Sequence, residues 1–229
     1  MKLARELERR LEAALDGLAG RLFRGGLHPS ELASRIGREA ELAEFDSVAG
    51  PATANHFRLF LHPSNLATNE GAGQELAAHL TEAFLAHAAD RGWRLQGPAE
   101  VIVESDPNLA PGSVRCEAVV VPGPLQPWAR IKGPTTHEVG PNRALLGRGT
   151  DCDVTLAAPE VSRHHAILFR QDGQAFVIDL DSVNGTAVDG TQVGRTPRRL
   201  NNGSILTLAG TDFRFTHDPP PTTHDSPHA

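Results

Sequence analysis

The spacing of apolar positions changes character near the middle of the chain. From Leu3 to Phe23, Leu3, Leu7, Leu11, Leu15, Leu18 and Leu22 recur at intervals of three or four, which lays one apolar stripe along a helix. Gly25-Gly26 ends that pattern, and Pro29 suits the first turn of a second helix carrying Leu32, Ile36 and Ala40. Phe57, Leu59 and Leu61 alternate with His56, Arg58 and Phe60, a two-residue period that predicts a strand closed by Pro63. Leu76, Leu80, Phe84 and Ala88 return to the helical period between about Gln74 and Asp90, and Arg91-Gly92 supplies the stop. Two more strands are expected around Ala99–Glu104 and Ser113–Val121, joined by a turn at Asp106-Pro107-Asn108. The first half therefore reads ααβαββ, an α+β layer in which helices cover one face of a small sheet.

The second half carries no helical period. Its turn signals fall at Asp172-Gly173, Asn184-Gly185, Asp189-Gly190 and Asn202-Gly203. Between them lie short apolar or alternating segments, Ala144–Gly147, Val154–Leu156, Ala166–Phe169, Phe176–Leu180, Ile205–Leu208 and Phe213–Phe215, as an all-β sandwich requires. The expected organisation is an α+β module over residues 1–121, a Pro-rich connector over 122–127, a β-sandwich over 128–217 and a tail over 218–229. The connector, Pro122-Gly123-Pro124-Leu125-Gln126-Pro127, is stiff, which favours a fixed mutual orientation of the modules. The tail, with Pro219-Pro220-Pro221, is expected to be disordered.

Composition narrows the chemistry. A chain of 229 residues is long enough for two modest domains, each with its own core. No run approaches the roughly 20 apolar residues that cross a bilayer, and Lys2-Leu3-Ala4-Arg5-Glu6 leads straight into charged helix, so a soluble, cytoplasmic protein is expected. Cys116 and Cys152 stand far apart in no Cys-x-x-Cys pair, which points to two reduced, buried or half-buried thiols. The neighbouring His164 and His165 would face opposite ways on a strand, and His224 and His228 sit in the tail, so no metal or organic cofactor is implied. Residues 1–121 hold 12 basic and 17 acidic side chains, a balance of −5, against 10 and 9 over residues 128–217, a balance of +1. An acidic first half is a poor nucleic-acid binder, whereas a near-neutral second half is compatible with a local anion site built from a few arginines.

Three groups of residues make such a site concrete. Leu146-Gly147-Arg148, Val161-Ser162-Arg163-His164-His165-Ala166 and Asn184-Gly185-Thr186 occur in that order among the short strands. Order and spacing together resemble the forkhead-associated (FHA) domain, a β-sandwich that reads phosphothreonine in partner proteins. The resemblance covers about Trp128 to His217. A phosphate monoester carries nearly two negative charges and three strong acceptor oxygens, so its receptor must offer fixed donors and positive charge. Arg148, following a Gly147 whose permissive backbone would let the strand end sharply, is the leading candidate. Ser162 would add a hydroxyl donor and Arg163 a second cation or a contact to the peptide.

A hydrolase reading of Ser162 with His165 lacks a Gly-x-Ser-x-Gly elbow and a third residue to orient the ring. The resemblance implies instead that His165 braces loop backbone. It also implies that the Asn184 amide bonds the main chain of an extended ligand, while Gly185 and Thr186 are structural. One departure stands out: the residue before Asn184 is often Thr or Ser in this family, and here it is Val183. Loss of a charge-assisted hydrogen bond, worth roughly 1.5–3 kcal/mol, would weaken binding by about tenfold or more unless another donor substitutes.

The first half has its own resemblance, carried by Glu8-Arg9-Arg10-Leu11-Glu12 and Leu27-His28-Pro29. These residues are similar to the opening of the N-terminal module that precedes an FHA domain in actinobacterial proteins of the FhaA type. The combined expectation is a non-catalytic adaptor that docks phosphothreonine segments made by a bacterial serine/threonine kinase, with the kinase or its substrates as partners. The alternative makes the N-terminal module an enzyme or RNA-binding domain, with the FHA domain as its phospho-dependent targeting unit. His28, His56, Glu100, Glu104 and Asp106 supply acids and bases for an enzyme, though at no spacing that defines a motif. The −5 balance and the lack of a Gly-x-x-Gly loop argue against RNA. In the tail, Thr222 followed three residues on by Asp225 is a candidate phosphoacceptor that would pair two copies of the chain.

Overall fold

A computed structural model describes residues 28–65 and 71–217. The leucine stripe of residues 3–22, the glycine pair that follows it and the tail beyond His217 lie outside those bounds. The chain divides into two compact units, Met1–Leu125 and Gln126–Ala229.

In the first unit, α1 (Pro29–Leu42) leads to a two-stranded ribbon of β1 (Phe45–Ser47) and β2 (Gly50–Ala52). β3 (His56–Leu61), a short 3-10 turn, α2 (Ala72–Arg91), β4 (Glu100–Ser105) and β5 (Val114–Val119) follow. β3 is central in the order β4-β3-β5, parallel to β4 and antiparallel to β5. Parallel neighbours need a crossover, and α2 provides it. The expected α+β layer is present, and the ribbon is the addition. Three-residue strands are too short to show a period, and Pro51 and Gly50 read as turn residues; Gly50 takes φ 103° to close the ribbon.

The predicted stripes become one core. Leu32, Ile36 and Ala40 of α1 and Leu76, Leu80, Phe84 and Ala88 of α2 are buried with Phe57, Leu59 and Leu61 of β3. Trp93 closes one end, and Cys116 of β5 joins the same cluster as a buried free thiol. Gly92, at φ 65°, turns the chain out of α2 where Arg91-Gly92 predicted the stop. On the uncovered sheet face Phe60 lies beneath two guanidinium groups, Arg115 at 3.7 Å and Arg58 at 5.0 Å from the ring centroid. Arg58 in turn pairs with Glu104 and Glu117, and Arg115 with Asp106 and Glu117, so both cations are already matched by carboxylates.

The second unit is a sandwich. One sheet has the order β14-β11-β10-β8-β9, from β8 (Arg143–Gly147), β9 (Val154–Thr155), β10 (Ala166–Gln171), β11 (Gln174–Asp179) and β14 (Arg198–Leu200). The other has the order β13-β12-β15-β16-β6-β7, from β6 (Ala129–Lys132), β7 (Thr136–Val139), β12 (Thr186–Val188), β13 (Thr191–Val193), β15 (Ile205–Leu208) and β16 (Thr211–His217). Leu146, Ala166, Leu168, Val177, Ile131, Leu206, Phe213 and Phe215 fill the space between them. The outer face of β10 is not wasted: Phe169 stacks on Phe176 and is covered by the Arg143 guanidinium at 4.1 Å. At Asp172-Gly173 and Asp189-Gly190 both residues take positive φ, as tight hairpins demand. Ala209-Gly210 does the same, a turn hidden from sequence because alanine seldom adopts φ 48°.

Strand directions define two poles. β8 and β11 end, and β10 and β12 begin, at the pole where Ala166 pairs with both Leu146 and Asp179. β16 starts at this same end, next to Leu208, which pairs with Thr186, and finishes at the opposite end, where His217 pairs with Ala129.

In the first unit one buried polar side chain closes the sheet. Asn55 donates to the carbonyls of Pro98 at 2.7 Å and Val121 at 2.9 Å, and accepts from the Val121 N–H at 2.9 Å. Asn55→Ala is expected to cost about 2–4 kcal/mol, since a fully buried side chain loses three hydrogen bonds. Chemical denaturation of the variant against the parent measures it; a change below about 0.5 kcal/mol would contradict the assignment.

Candidate functional site

The loops at the first pole come together through backbone ladders that outlast the strands. The Arg148 N–H donates to the Ser162 carbonyl at 3.0 Å, and the Gly149 N–H to the Arg163 carbonyl at 3.0 Å. Arg148 and Ser162 are therefore lateral neighbours. Both Arg148 and Arg163 are exposed. Among the described residues neither guanidinium has a hydrogen bond or carboxylate partner, so both donor sets face solvent.

Gly147 makes that approach possible, though for a different reason than sharp turning. Its φ is not positive, and it remains in β8. A Cβ there would sit 2.1 Å from the Arg163 carbonyl oxygen and 3.0 Å from Cys152 Sγ. The glycine is required by close packing of two backbones, and the strand does not end early.

Ser162 is half-buried and tied to the third loop: its Oγ accepts the Val183 N–H at 3.1 Å. That bond occupies a lone pair and leaves the hydroxyl proton to donate outward. The Val183 side chain, 87% exposed, supplies no polar group at the position where a hydroxyl residue was expected from the resemblance. Asn184 donates its amide to the Glu160 carbonyl at 2.7 Å, which fastens the third loop to the second. One N–H and the amide oxygen remain for other partners.

His164 and His165 lie in the loop before β10, not on a strand, yet they diverge as expected. His165 is fully buried. Its Nδ1 accepts the Ser162 N–H at 3.2 Å, which places the ring proton on Nε2, and Nε2 donates to the Gly185 carbonyl at 3.1 Å. The ring thus joins the second loop to the third. Gly185, at φ 75°, turns its carbonyl toward that ring, and the same carbonyl accepts from the Ala209 N–H. His164 instead faces outward to Asp151, Nε2 to Oδ2 2.7 Å.

Asp179 is the supporting residue that the sequence reading passed over. Its carboxylate accepts from the Ser182 N–H at 2.8 Å, the Ser182 hydroxyl at 2.7 Å and the buried Thr186 hydroxyl at 2.6 Å. Burial alone would push the carboxyl up, but the bonds from Thr186 and Ser182 outweigh it and hold it below the usual carboxylate range. The signal was present: an aspartate at a strand end, followed three residues later by serine, is a common loop-closing pair. His165 Nε2 and Asp179 Oδ2 stand 4.0 Å apart, too far for a hydrogen bond.

A carboxyl held low in the folded state contributes stability above its ordinary pKa, and that contribution is lost as pH falls through the folded value. Asp179→Asn is therefore expected to lower stability near neutrality and to flatten the acid limb of the stability curve below about pH 5. Urea midpoints of both proteins between pH 3 and 7 provide the check; parallel curves would show that Asp179 carries no such coupling.

The remaining candidates are elsewhere and engaged. His56 lies 3.3 Å from Glu100, Glu104 pairs with Arg58, and Asp106 accepts from Asn108 and Arg115. Each is a partner in a surface pair on the first unit. Thr222 lies outside the described residues. No helix among the described residues is long and apolar enough to cross a membrane.

Comparison with known proteins bears on both units. Residues 144–209 match the family model of the FHA domain, and residues 4–117 match that of the FhaA N-terminal domain. The chain is 34% identical over 83 residues to the ABC transporter ATP-binding/permease protein Rv1747 of Mycobacterium tuberculosis, which is 36% of this chain and 9% of that protein. It is 31% identical over 74 residues to human proliferation marker protein Ki-67, 32% of this chain and 2% of that protein. The chain thus spans less than a tenth of either relative. Among solved structures, the FhaA FHA domain complexed with the intracellular domain of Rv3910 aligns at 24% identity and TM-score 0.35, covering 38% of this chain and 98% of that one. Mycobacterium tuberculosis EmbR in complex with a low affinity phosphopeptide aligns at 26% identity and TM-score 0.38, covering 44% of this chain and 26% of that one. With one family model spanning its first half and the other its sandwich, the chain belongs to the FHA-domain proteins that carry a FhaA-type N-terminal domain.

Proposed function

We propose that the protein is a non-catalytic adaptor whose FHA domain docks phosphothreonine-bearing protein segments downstream of a serine/threonine kinase. The observation that carries this reading is the placement of Arg148 beside Ser162, with a guanidinium that has no partner among the described residues and a hydroxyl whose proton is free to donate. A dianionic phosphate gains charge-assisted bonds from both, and Arg163 adds positive charge on the same loop as Ser162. Asn184 retains one N–H and its oxygen for the ligand main chain. The Val183 N–H is spent on Ser162 Oγ and its side chain has no hydroxyl, so weaker phosphate binding than with Ser or Thr at this position is expected. FHA domains are phosphopeptide-binding modules, and nothing in this site needs a metal or organic cofactor for that recognition.

The first unit fits a protein-binding role better than RNA binding or catalysis. The two arginines on its uncovered sheet face are matched by Glu104, Glu117 and Asp106, leaving that face without the surplus positive charge that a phosphate backbone requires. A cytoplasmic location accords with partners made by an intracellular kinase.

The tail has a geometric constraint. β16 carries the chain about 20 Å away from the loops, and Thr222 follows His217 by five residues, a reach of at most about 18 Å. A phosphorylated Thr222 would meet its own domain's site only with the chain almost fully extended, which favours the site of a second copy. Kinase treatment with mass spectrometry and sizing is expected to give concentration-dependent dimers that Thr222→Ala abolishes. A chain phosphorylated at Thr222 that stays monomeric would end the idea.

Calorimetry with paired phosphothreonine and unmodified peptides tests the main reading. Arg148→Ala is expected to weaken phosphopeptide binding about a hundredfold, near 3 kcal/mol, with little change in thermal stability because among the described residues its side chain has no hydrogen-bond or ion-pair partner. Equal binding of both peptides, or an unaffected Arg148→Ala variant, would overturn it.

A further inference from the structure

One cluster at the same pole is not used by the recognition described above. Asp151, Cys152 and His164 converge from two loops, and one ligand atom from each, carboxylate oxygen, thiol sulfur and imidazole nitrogen, lies within 4.8 Å of the others. Asp151 and Cys152 belong to the loop that carries Arg148, whereas His164 belongs to the loop that carries Ser162 and Arg163. Asp151 and His164 are already in contact, and the Cys152 thiol donates to the Arg163 carbonyl at 3.1 Å.

A second observation concerns the space among these atoms. A Cβ on Gly149 would meet Asp151 Oδ1 at 2.4 Å, the Arg163 carbonyl oxygen at 3.1 Å and Cys152 Sγ at 3.5 Å. A Cβ on Gly147 would meet Cys152 Sγ at 3.0 Å. The two glycines thus let the Arg148 loop pack close against the Arg163 backbone, which brings Asp151 and Cys152 up to the loop that carries His164.

We propose that Asp151, Cys152 and His164 form a binding site for a divalent zinc-type ion, with solvent in the fourth position. Thiolate, imidazole and carboxylate together suit zinc far better than magnesium or calcium, which prefer all-oxygen shells. Around a tetrahedral ion, ligand atoms stand about 3.5 Å apart, given metal–ligand bonds of about 2.0–2.3 Å. Reaching that geometry requires Asp151 and His164 to separate by under about 1 Å and the sulfur to leave the Arg163 carbonyl, adjustments open to partly exposed side chains. On binding, the Cys152 thiol releases its proton to solvent and the Nε2 proton that His164 donates to Asp151 is also given up, the neutral ring keeping its proton on Nδ1, so that Sγ, Nε2 and a carboxylate oxygen each offer an electron pair to the metal. The ion joins the Arg148 loop to the Ser162 loop. Its consequence for peptide affinity rests on the proposed function, but its existence does not.

Cobalt(II) added to the full-length reduced protein tests the site, because a cobalt–thiolate bond gives a charge-transfer absorption that oxygen and nitrogen ligands lack. One equivalent with that absorption, displaced by zinc, is expected. Cys152→Ser should lose the absorption entirely, His164→Ala should weaken cobalt binding about tenfold or more, and Cys116→Ser should retain both. Circular dichroism of each variant establishes that it is folded. Absence of the thiolate absorption from the parent, or its survival in Cys152→Ser, would overturn the proposal. No peptide is present, so this result is independent of phosphothreonine binding.

Discussion

A single buried ring holds the recognition loops in register. His165 receives the Ser162 N–H on one nitrogen and donates its N–H to the Gly185 carbonyl from the other, so the loop bearing Ser162 cannot move independently of the loop bearing Val183 and Asn184. The ring itself is fully buried, so removing either bond would leave a ring nitrogen unpaired in the interior, which is expensive. The Ser162 Oγ to Val183 N–H bond and the Asn184 amide to Glu160 carbonyl bond repeat the same linkage outside the ring. Asp179 anchors the far end of the third loop through Ser182 and Thr186. Preorganisation of this sort lowers the entropy lost on binding, which is how a shallow site made of loops attains affinity for an extended segment.

Much of this architecture was legible because it rests on periods and turn chemistry. Leu76, Leu80, Phe84 and Ala88 announced the long helix, and Phe57, Leu59 and Leu61 the central strand that it covers. The aspartate-glycine hairpins read directly. What escaped notice was short or exceptional: β1 and β2 have three residues each, and Ala209 takes a backbone conformation that alanine disfavours. At the site, motif order predicted that Arg148, Ser162 and Asn184 share one pole, and the ladders place them there. Their bonding could not be read so. That Asn184 spends a donor on Glu160, or that Gly147 is fixed by the carbonyl of Arg163, depends on contacts between segments more than a dozen residues apart. Asp179 was hidden in a strand end, where an acidic residue ordinarily signals only exit from the sheet.

The two units distribute charge differently, and the difference has a physical logic. In the first unit, Arg58 and Arg115 cap Phe60 and are matched by adjacent carboxylates. In the second, the Arg148 and Arg163 guanidinium groups have no carboxylate partner among the described residues, whereas Asp151 is engaged with His164 and Asp181 with Arg195. A near-neutral domain can in this way present a local positive field without a general attraction for polyanions, which suits discrimination of one phosphate in a particular peptide from nucleic acid at large.

Phosphothreonine recognition as proposed requires a phosphate seated among the first-pole loops. Backbone amide resonances followed during titration with a phosphothreonine peptide locate that seat directly. The amides of Arg148, Ser162, Val183 and Asn184 should move, those of residues 28–121 should not, and the unmodified peptide should move none. Identical shifts with both peptides, or shifts centred away from these four residues, would contradict it.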